Sequence, residues 1–208
     1  MKHQHHLRRY KMKVAEIFTS IQGEGNFLGV PATFIRFMGC NLKCPFCDTK
    51  KTWADNAEAC DMSIDDIVTR VCGTAIPLIV ITGGEPCIQE DLQELVDRLR
   101  MRNFYVAIET NGTQATPDAD WITCSPKAEA DYQINMFCKP NELKYVVTPG
   151  FDAEKDIPEG IREMYSGKIW LQPEGSKMTE MWKKCYQLAM EDPRLRVGLQ
   201  LHKLMEVE

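Results

Sequence analysis

The 208-residue sequence lacks the features that mark several common protein classes. No apolar run approaches the roughly 18 residues that suggest a membrane-spanning helix. No apolar core follows the basic start, which argues against a secretory signal peptide. The net charge of −5 gives no overall field that would attract nucleic acid. The phosphate-loop pattern G-x-x-x-x-G-K-[ST] is also absent, which argues against an ordinary nucleotide triphosphatase.

Histidine is scarce outside the first residues. Three of the four histidines lie within residues 1–13, together with five basic residues and no acidic one. We expect residues 1–12 to be a flexible leader, in preference to a metal-binding histidine cluster, and residues 13–208 to form a single domain. His202 is the only histidine of that domain, which weakens a Ser-His-Asp hydrolase interpretation.

The length limits the fold. A complete eight-fold βα barrel typically needs about 250 residues, so any barrel in this chain must be incomplete. Short runs rich in β-branched and aromatic residues alternate with amphipathic helical stretches, which favours an α/β fold with a partial βα barrel of about six strands. We predict helices at residues 63–71, 92–101 and 178–190. We predict strands at residues 33–37, 78–82, 105–109, 121–125, 143–148, 169–172 and 196–200.

Nine cysteines are the unusual feature of the composition. Their odd number rules out a full set of disulfides within the chain, and without a signal peptide we expect a reducing, cytoplasmic location. Cys40, Cys44 and Cys47 follow the first predicted strand at the spacing C-x3-C-x2-C, which suits a metal or an iron–sulfur cluster. A zinc site would need a fourth ligand from elsewhere in the chain. We expect the other six to be small core residues: Cys60, Cys72, Cys87, Cys124, Cys138 and Cys185.

Polar turns follow four of the predicted strands. In parallel α/β proteins the site lies beyond the carboxyl ends of the strands, so chemistry is expected in these turns. Each turn alone has an ordinary structural explanation, but four at the same edge of a sheet indicate a binding site. They are Thr82-Gly83-Gly84-Glu85-Pro86, Glu109-Thr110-Asn111-Gly112, Ser125-Pro126-Lys127 and Gln172-Pro173-Glu174-Gly175.

The cysteine motif, with the aromatic Phe46 before its third cysteine, resembles the signature of the radical S-adenosylmethionine (SAM) superfamily. The resemblance implies that Cys40, Cys44 and Cys47 hold a [4Fe-4S] cluster, that its open iron chelates SAM, and that one electron then generates a radical. It also implies that Glu85 accepts a hydrogen bond from the amino group of SAM. The further residues implied to lie against SAM are Phe46, Cys47, Asp48, Gly84, Ser125, Pro126, Lys127, Gln172, Pro173, Glu174 and Gly175.

A second set of motifs is similar to those of the 7-carboxy-7-deazaguanine synthase family. The motifs are Ile21-Gln22-Gly23-Glu24-Gly25, Arg36, Asp48-Thr49 and Gln200-Leu201-His202-Lys203. This resemblance implies a lyase that converts 6-carboxy-5,6,7,8-tetrahydropterin to 7-carboxy-7-deazaguanine with loss of ammonia, a step toward queuosine. It implies Thr49 as a Mg²⁺ ligand, a flavodoxin or ferredoxin-type electron donor, and a homodimer. The implied substrate-binding residues are Ile21, Gln22, Gly23, Arg36, Thr82 and His202.

Two alternatives stay open at the level of the sequence. A radical SAM activase, which abstracts hydrogen from a glycine of a partner protein, shares the cysteine spacing and is comparably short. Against it, Arg36 suits a small carboxylated substrate, because a guanidinium holds a carboxylate through two parallel hydrogen bonds. A zinc-binding interaction module is the non-enzymatic alternative, and it predicts a colourless protein with about one zinc ion per chain.

Overall fold

The computed structural model of the chain describes residues 11–53 and 59–208. Within these ranges one sheet contains nine strands. The strands are β1 (Lys11–Ile21), β2 (Pro31–Phe37), β3 (Cys60–Ser63), β4 (Leu78–Gly83), β5 (Tyr105–Thr110), β6 (Trp121–Cys124), β7 (Glu142–Val147), β8 (Lys168–Pro173) and β9 (Leu195–Val197). The α-helices are α1 (Ile64–Cys72), α2 (Leu92–Arg100), α3 (Ala153–Asp156), α4 (Glu159–Met164), α5 (Met178–Glu191) and α6 (Leu201–Leu204).

The sheet is mostly parallel and open. Its order is β3-β1-β2-β4-β5-β6-β7-β8-β9, and the edge strands β3 and β9 are not paired with each other. β2 and the strands from β4 to β9 run parallel to one another, whereas β1 pairs antiparallel with both β2 and β3. The predicted α/β fold with an incomplete βα barrel is therefore confirmed. The described strands number nine, which are the seven predicted strands together with β1 and β3 at one edge of the sheet.

Each predicted strand and helix is present, with ends shifted by a few residues. α1 begins at the predicted place because Ser63 accepts a hydrogen bond from the N–H of Asp66, whose carboxylate accepts one from the N–H of Ser63. The predicted elements do not include β1, β3, α3, α4 or α6. Apart from the longer β1, these elements have only four to six residues, which carry too little periodicity. None of the helices in the described ranges combines the length and the apolar character needed to cross a membrane.

Two residues of the predicted leader lie in the sheet. Residues 1–10, which contain three histidines and the rest of the predicted leader, lie outside the described residues. Lys11 and Met12, the last residues of the predicted leader, are part of β1 and pair with β3. Alternate residues of a strand face the same side of the sheet, so Met12 lies on the same face as Val14, and both are buried in the core. The strand pairing and this burial place Lys11 and Met12 in the folded domain.

Alternation along the strands separates two faces of the sheet. The convex face packs against the helices and carries the large apolar core, in which each buried Ile, Leu or Val side chain contributes about 1.5–3 kcal/mol. The concave face carries a smaller apolar cluster of Ala32, Leu78, Val80 and Ala107. These four residues lie in the first half of their strands. Space therefore remains at the carboxyl ends of the strands.

The segment between β1 and β2 packs against the concave face. The ring of Phe27 lies edge-on against Tyr105 and Trp121, with centroid distances of 5.6 and 5.2 Å. The carboxylate of Glu142, at the start of β7, accepts a hydrogen bond from the backbone N–H of Asn26 at 3.2 Å. Glu142 is only 1% exposed, and its other donors are the side chains of Thr123, Trp121 and Trp170. These contacts fix residues 22–30 inside the partial barrel.

Candidate functional site

A cavity of about 530 Å³ opens at the carboxyl ends of the parallel strands. Six neighbouring strands each place one polar side chain on the concave face, five of them within one residue of the carboxyl end and Lys144 in the first half of β7. Because successive residues of a strand face opposite sides, each of these side chains points away from the helix-packed core. The cavity is therefore the polar part of the concave face. The six side chains that line it are Arg36, Thr82, Glu109, Ser125, Lys144 and Gln172.

The loop after β2 brings three cysteines to the cavity wall. Cys40, Cys44 and Cys47 all line the cavity. The backbone N–H groups of Leu42 and Thr49 donate to the Sγ atoms of Cys40 and Cys47, both at 3.4 Å. Hydrogen bonds to sulfur of this kind stabilise and tune thiolate ligands. Burial raises the pKa of Cys44 to about 12, so this thiol keeps its proton until a metal replaces it.

The three cysteines of this loop open on one cavity. A structural zinc ion needs four ligands, so it would require a further ligand from elsewhere in the chain. A [4Fe-4S] cluster spreads its thiolates over separate irons, and three cysteines leave one iron open for another ligand. The chemistry of the three thiols therefore fits the predicted cluster.

Gly84, just after β4, lies directly against the cysteine loop. The N–H of the next residue, Glu85, donates to the carbonyl of Gly39 at 2.8 Å. A β-carbon on Gly84 would overlap that same carbonyl and would lie 2.8 Å from Cβ of Cys40. Only glycine permits this approach of two backbones. Gly84 therefore determines how closely the turn after β4 supports the first cysteine.

The side chain of Glu85 is buried between the turns that follow β4 and β5. It is fully buried and does not line the cavity. Its carboxylate accepts hydrogen bonds from the Thr110 hydroxyl at 2.7 Å and from the N–H groups of Asn111 at 2.6 Å and Cys87 at 2.9 Å. Burial raises the pKa of this carboxyl group. Its oxygens are directed at protein donors that join β4 to β5, and its hydrogen bond with the amino group of SAM stays a prediction. Pro126 is also buried away from the cavity lining.

Two of the other residues implied to contact SAM have the properties of ligand-binding side chains. Burial lowers the pKa of Lys127, whose ammonium donates to the carbonyl of Ser125 at 2.6 Å. The amide of Gln172 is buried, and neither its nitrogen nor its oxygen has a hydrogen-bond partner among the described residues. Because an unpartnered buried amide is costly, Gln172 fits a site that a ligand completes. The rest of this set also lines the cavity: Phe46, Cys47, Asp48, Gly84, Ser125, Pro173, Glu174 and Gly175.

The residues implied to bind substrate and Mg²⁺ line the same cavity. The guanidinium of Arg36 lies 5.4 Å from the centre of the Phe18 ring. Its Nε is 2.7 Å from a carboxylate oxygen of Glu16, an ionic contact without hydrogen-bond alignment. The hydroxyl of Thr49 donates to Asp48 at 3.0 Å. The set that the structure brings together is Ile21, Gln22, Gly23, Arg36, Thr49, Thr82 and His202.

One buried charged group on the cavity wall is not among the predicted site residues. The Nζ of Lys144 lies 2.6 Å from a carboxylate oxygen of Glu24 and 2.8 Å from one of Glu109. Gln22 donates to the other oxygen of Glu109 at 3.1 Å, and Gln200 donates to the other oxygen of Glu24 at 2.7 Å. The sequence contains one sign that Lys144 belongs to the site. It is a lysine within the otherwise apolar strand β7, at a position that alternates with the residues of the core.

The C-terminal segment closes one side of the cavity. The N–H of Leu201 donates to the carbonyl of Gly23 at 2.9 Å, and the imidazole of His202 lies against Gly23. Lys203 forms an ion pair with Asp48 at 2.6 Å. Burial alone would raise the pKa of Asp48, but the hydrogen bond and charge of Lys203 outweigh it and lower the pKa to about 2. Burial lowers the pKa of His202, so a neutral imidazole faces the cavity at neutral pH.

The sequence matches one family model over part of its length and known proteins over more than nine-tenths of it. The model of the radical SAM superfamily matches residues 34–122. The 7-carboxy-7-deazaguanine synthase of Bacteroides thetaiotaomicron is 40% identical over 197 residues, which cover 94% of this chain and 98% of that protein. The 7-carboxy-7-deazaguanine synthase of Aquifex aeolicus is 35% identical over 206 residues, which cover 93% of each.

A solved structure shows the same architecture. The crystal structure of QueE from Escherichia coli superimposes with a TM-score of 0.80 at 30% sequence identity. The match covers 92% of this chain and 95% of that chain. The similarity therefore extends over nearly the whole of both chains.

Proposed function

The chain belongs to the 7-carboxy-7-deazaguanine synthase family of the radical SAM superfamily, and from this premise we propose the roles of its cavity residues. It is a radical SAM lyase of queuosine biosynthesis. Its substrate is 6-carboxy-5,6,7,8-tetrahydropterin, and its products are 7-carboxy-7-deazaguanine and ammonia. The observation that supports this proposal most directly is that three cysteines and one polar side chain from each of six neighbouring strands line one cavity of about 530 Å³.

We propose that Cys40, Cys44 and Cys47 hold a [4Fe-4S] cluster through their thiolates. The hydrogen bonds to two of the sulfurs and the backbone contact with Gly84 support this assignment. When bound, the cluster and SAM supply the one-electron chemistry that starts the reaction. The residues that would lie against SAM are Phe46, Asp48, Gly84, Ser125, Lys127, Gln172, Pro173, Glu174 and Gly175. The unpartnered amide of Gln172 supports a ligand on that side of the cavity.

The substrate carboxylate is assigned to Arg36. A guanidinium binds a carboxylate through two parallel hydrogen bonds, and Phe18 and Glu16 hold this one in a fixed orientation. Thr82 lies on the neighbouring strand, level with Arg36 in the register of β2 and β4. Gly23 permits His202 to lie over the cavity, where it excludes water from one side. Ile21 and Gln22 complete the substrate side of the wall.

Four further features are part of the proposal. Thr49 supplies one oxygen ligand to Mg²⁺, with substrate oxygens and waters as the others, since Mg²⁺ is usually bound through few protein ligands. The electron donor is a flavodoxin or ferredoxin-type protein, and the exposed Lys43 and Lys50 of the cysteine loop suit an acidic partner. Exposed apolar side chains at Leu204 and Met205 support a homodimer. Nine free cysteines support a reducing, cytoplasmic location.

An anaerobic turnover assay tests the function. The reconstituted protein is mixed with SAM, a chemical reductant and 6-carboxytetrahydropterin, and the deazaguanine and ammonia are quantified. We expect both products in equal amounts, without any partner protein. The activase alternative requires a protein substrate, and the full-length similarity to deazaguanine synthases does not favour it. No product above an enzyme-free control, with the cluster intact, contradicts the proposal.

A further inference from the structure

The ammonium group of Lys144 forms ion pairs with two carboxylates that come from different parts of the chain, those of Glu24 and Glu109. Glu24 lies in the segment after β1 and Glu109 lies on β5, and both side chains line the cavity together with Lys144. The side chains of Lys144, Glu24 and Glu109 are only 11%, 14% and 19% exposed. The three residues therefore form a buried charged triad at the cavity wall.

The triad keeps acceptor capacity that the protein does not use. Each ionised carboxylate has about four lone-pair sites. In Glu24 and in Glu109 one oxygen accepts from Lys144 and the other accepts from a glutamine amide. About two acceptor sites remain on each carboxylate. A ligand in the cavity that presents adjacent N–H donors would match them.

The charge balance explains why a lysine is needed between the carboxylates. Two buried carboxylates close together cannot both ionise without a cation, because each raises the pKa of the other. Burial already raises the pKa of Glu109, an effect that Lys144 partly offsets. Burial would also raise the pKa of Glu24, but Lys144 outweighs it and lowers the pKa. Without Lys144 a carboxylate would take up a proton and lose acceptor capacity.

We propose that Lys144 is a positioning residue, which fixes Glu24 and Glu109 as paired acceptors for the N–H donors of the aminopyrimidinone edge of the substrate and product. The inference rests on the proposed function, since the guanine ring of the product carries a ring N–H next to an exocyclic amino group. Arg36 on β2 and the triad on β5 and β7 would then hold opposite features of the ligand, its carboxylate and its donor edge. The triad thereby sets specificity for rings that carry the amino group.

The test measures discrimination between two probes. The dissociation constants of 7-carboxy-7-deazaguanine and of the analogue without the 2-amino group are measured by anaerobic calorimetry on the reconstituted enzyme with SAM. The wild type is expected to bind the amino compound about 10- to 100-fold more tightly, because a charged acceptor left unpaired weakens binding by that factor. In Lys144→Met the ratio is expected to fall to within about threefold. Lys144→Arg retains the cation and is expected to restore part of the discrimination.

Lys184 provides the matched control. It lies on α5, donates to the carbonyls of Thr148 and Pro149, and does not line the cavity. Lys184→Met should keep the wild-type ratio. If Lys144→Met does not fold, the same measurement is made on Glu109→Gln. The amide keeps the volume of the carboxylate but loses half of its acceptor capacity, so the discrimination between the probes should again be lost.

The outcomes separate the two proposals. A folded Lys144→Met or Glu109→Gln variant with the wild-type ratio overturns the role of the triad, and so does a wild type that turns over substrate without any discrimination between the probes. A wild type that neither binds the product nor forms it overturns the proposed function itself.

Discussion

The imidazole of His202 occupies the space in which residue 23 would carry a side chain. A β-carbon on Gly23 would overlap Nδ1 of His202, and the N–H of Leu201 donates to the carbonyl of Gly23 at 2.9 Å. The first and the last segments of the cavity wall are therefore in direct contact. Glycine at position 23 is what allows the C-terminal histidine to reach the cavity.

Replacement of Gly23 tests this contact. In Gly23→Ala the methyl group must displace His202, so we expect KM for the pterin to rise about tenfold or more, with little change in cluster content. Gly150→Ala is the matched control, because a β-carbon there meets nothing within 4 Å. Steady-state kinetics of both variants, with iron content measured in parallel, check the prediction. An unchanged KM in Gly23→Ala would show that His202 is not needed for binding.

The contact between Gly84 and the cysteine loop makes a different prediction. In Gly84→Ala the β-carbon must push the Gly39 carbonyl and Cys40 outward, so we expect cluster content to fall by about half or more. The measurement is iron and acid-labile sulfide per chain after anaerobic reconstitution. Gly160→Ala on α4, whose nearest neighbour would be a flexible methionine end at 3.8 Å, should load normally. Equal loading of the two variants would refute the steric argument.

Glu142 is expected to govern stability rather than chemistry. Glu142→Ala leaves buried donors of Trp121, Trp170 and Thr123 without their acceptor, which should lower the free energy of unfolding by about 2–4 kcal/mol. Denaturant unfolding measures this loss. The exposed Glu163 is the control, and Glu163→Ala should change the free energy by no more than about 0.5 kcal/mol. A loss of similar size in both variants would contradict the role of the buried acceptor.

The docking of His202 should depend on pH. Burial lowers its pKa below the ordinary value of 6.5, so the unfolded chain binds more protons than the folded chain as the pH falls below 6.5. The stability that neutral His202 contributes is complete above pH 6.5 and is lost as the pH falls through the folded-state pKa. We therefore expect the difference in unfolding free energy between the wild type and His202→Asn to be constant above pH 6.5 and to shrink in acid. Denaturant unfolding from pH 8 to pH 5 measures it, and a difference that grows in acid would contradict the prediction.

Much of the fold follows from local patterns in the sequence. The parallel strands and the long helices are predictable because alternation and the helical stripe are properties of short segments. β3 is not, since it has only four residues, which pair at one edge of the sheet and of which two are exposed. The pairing of Lys11 and Met12 with β3 is not predictable for the same reason, because it depends on a strand about 50 residues away in the sequence.

The residues of the candidate site are likewise predictable only in part from the sequence. Motif similarity places most of its residues on the cavity wall, but it does not show that Glu85 turns inward to join β4 and β5. It also misses the partnership of Lys144 with Glu24 and Glu109, which lie 120 and 35 positions away in the sequence. Such partnerships are set by the order of strands in the sheet, which local periodicity does not contain.

We propose that the cavity at the strand ends is a radical SAM active site built on Cys40, Cys44 and Cys47. The most direct measurement is anaerobic turnover of 6-carboxytetrahydropterin by the wild type, Cys44→Ala and Cys60→Ala in parallel. Cys60 on β3 is exposed, as is Cys72, so the expected place in the core is wrong for these two cysteines, and Cys60 serves as the matched control. The account predicts equal deazaguanine formation by the wild type and Cys60→Ala, and none by Cys44→Ala. Deazaguanine formation by Cys44→Ala at the wild-type rate, or none by the wild type with an intact cluster, would contradict it.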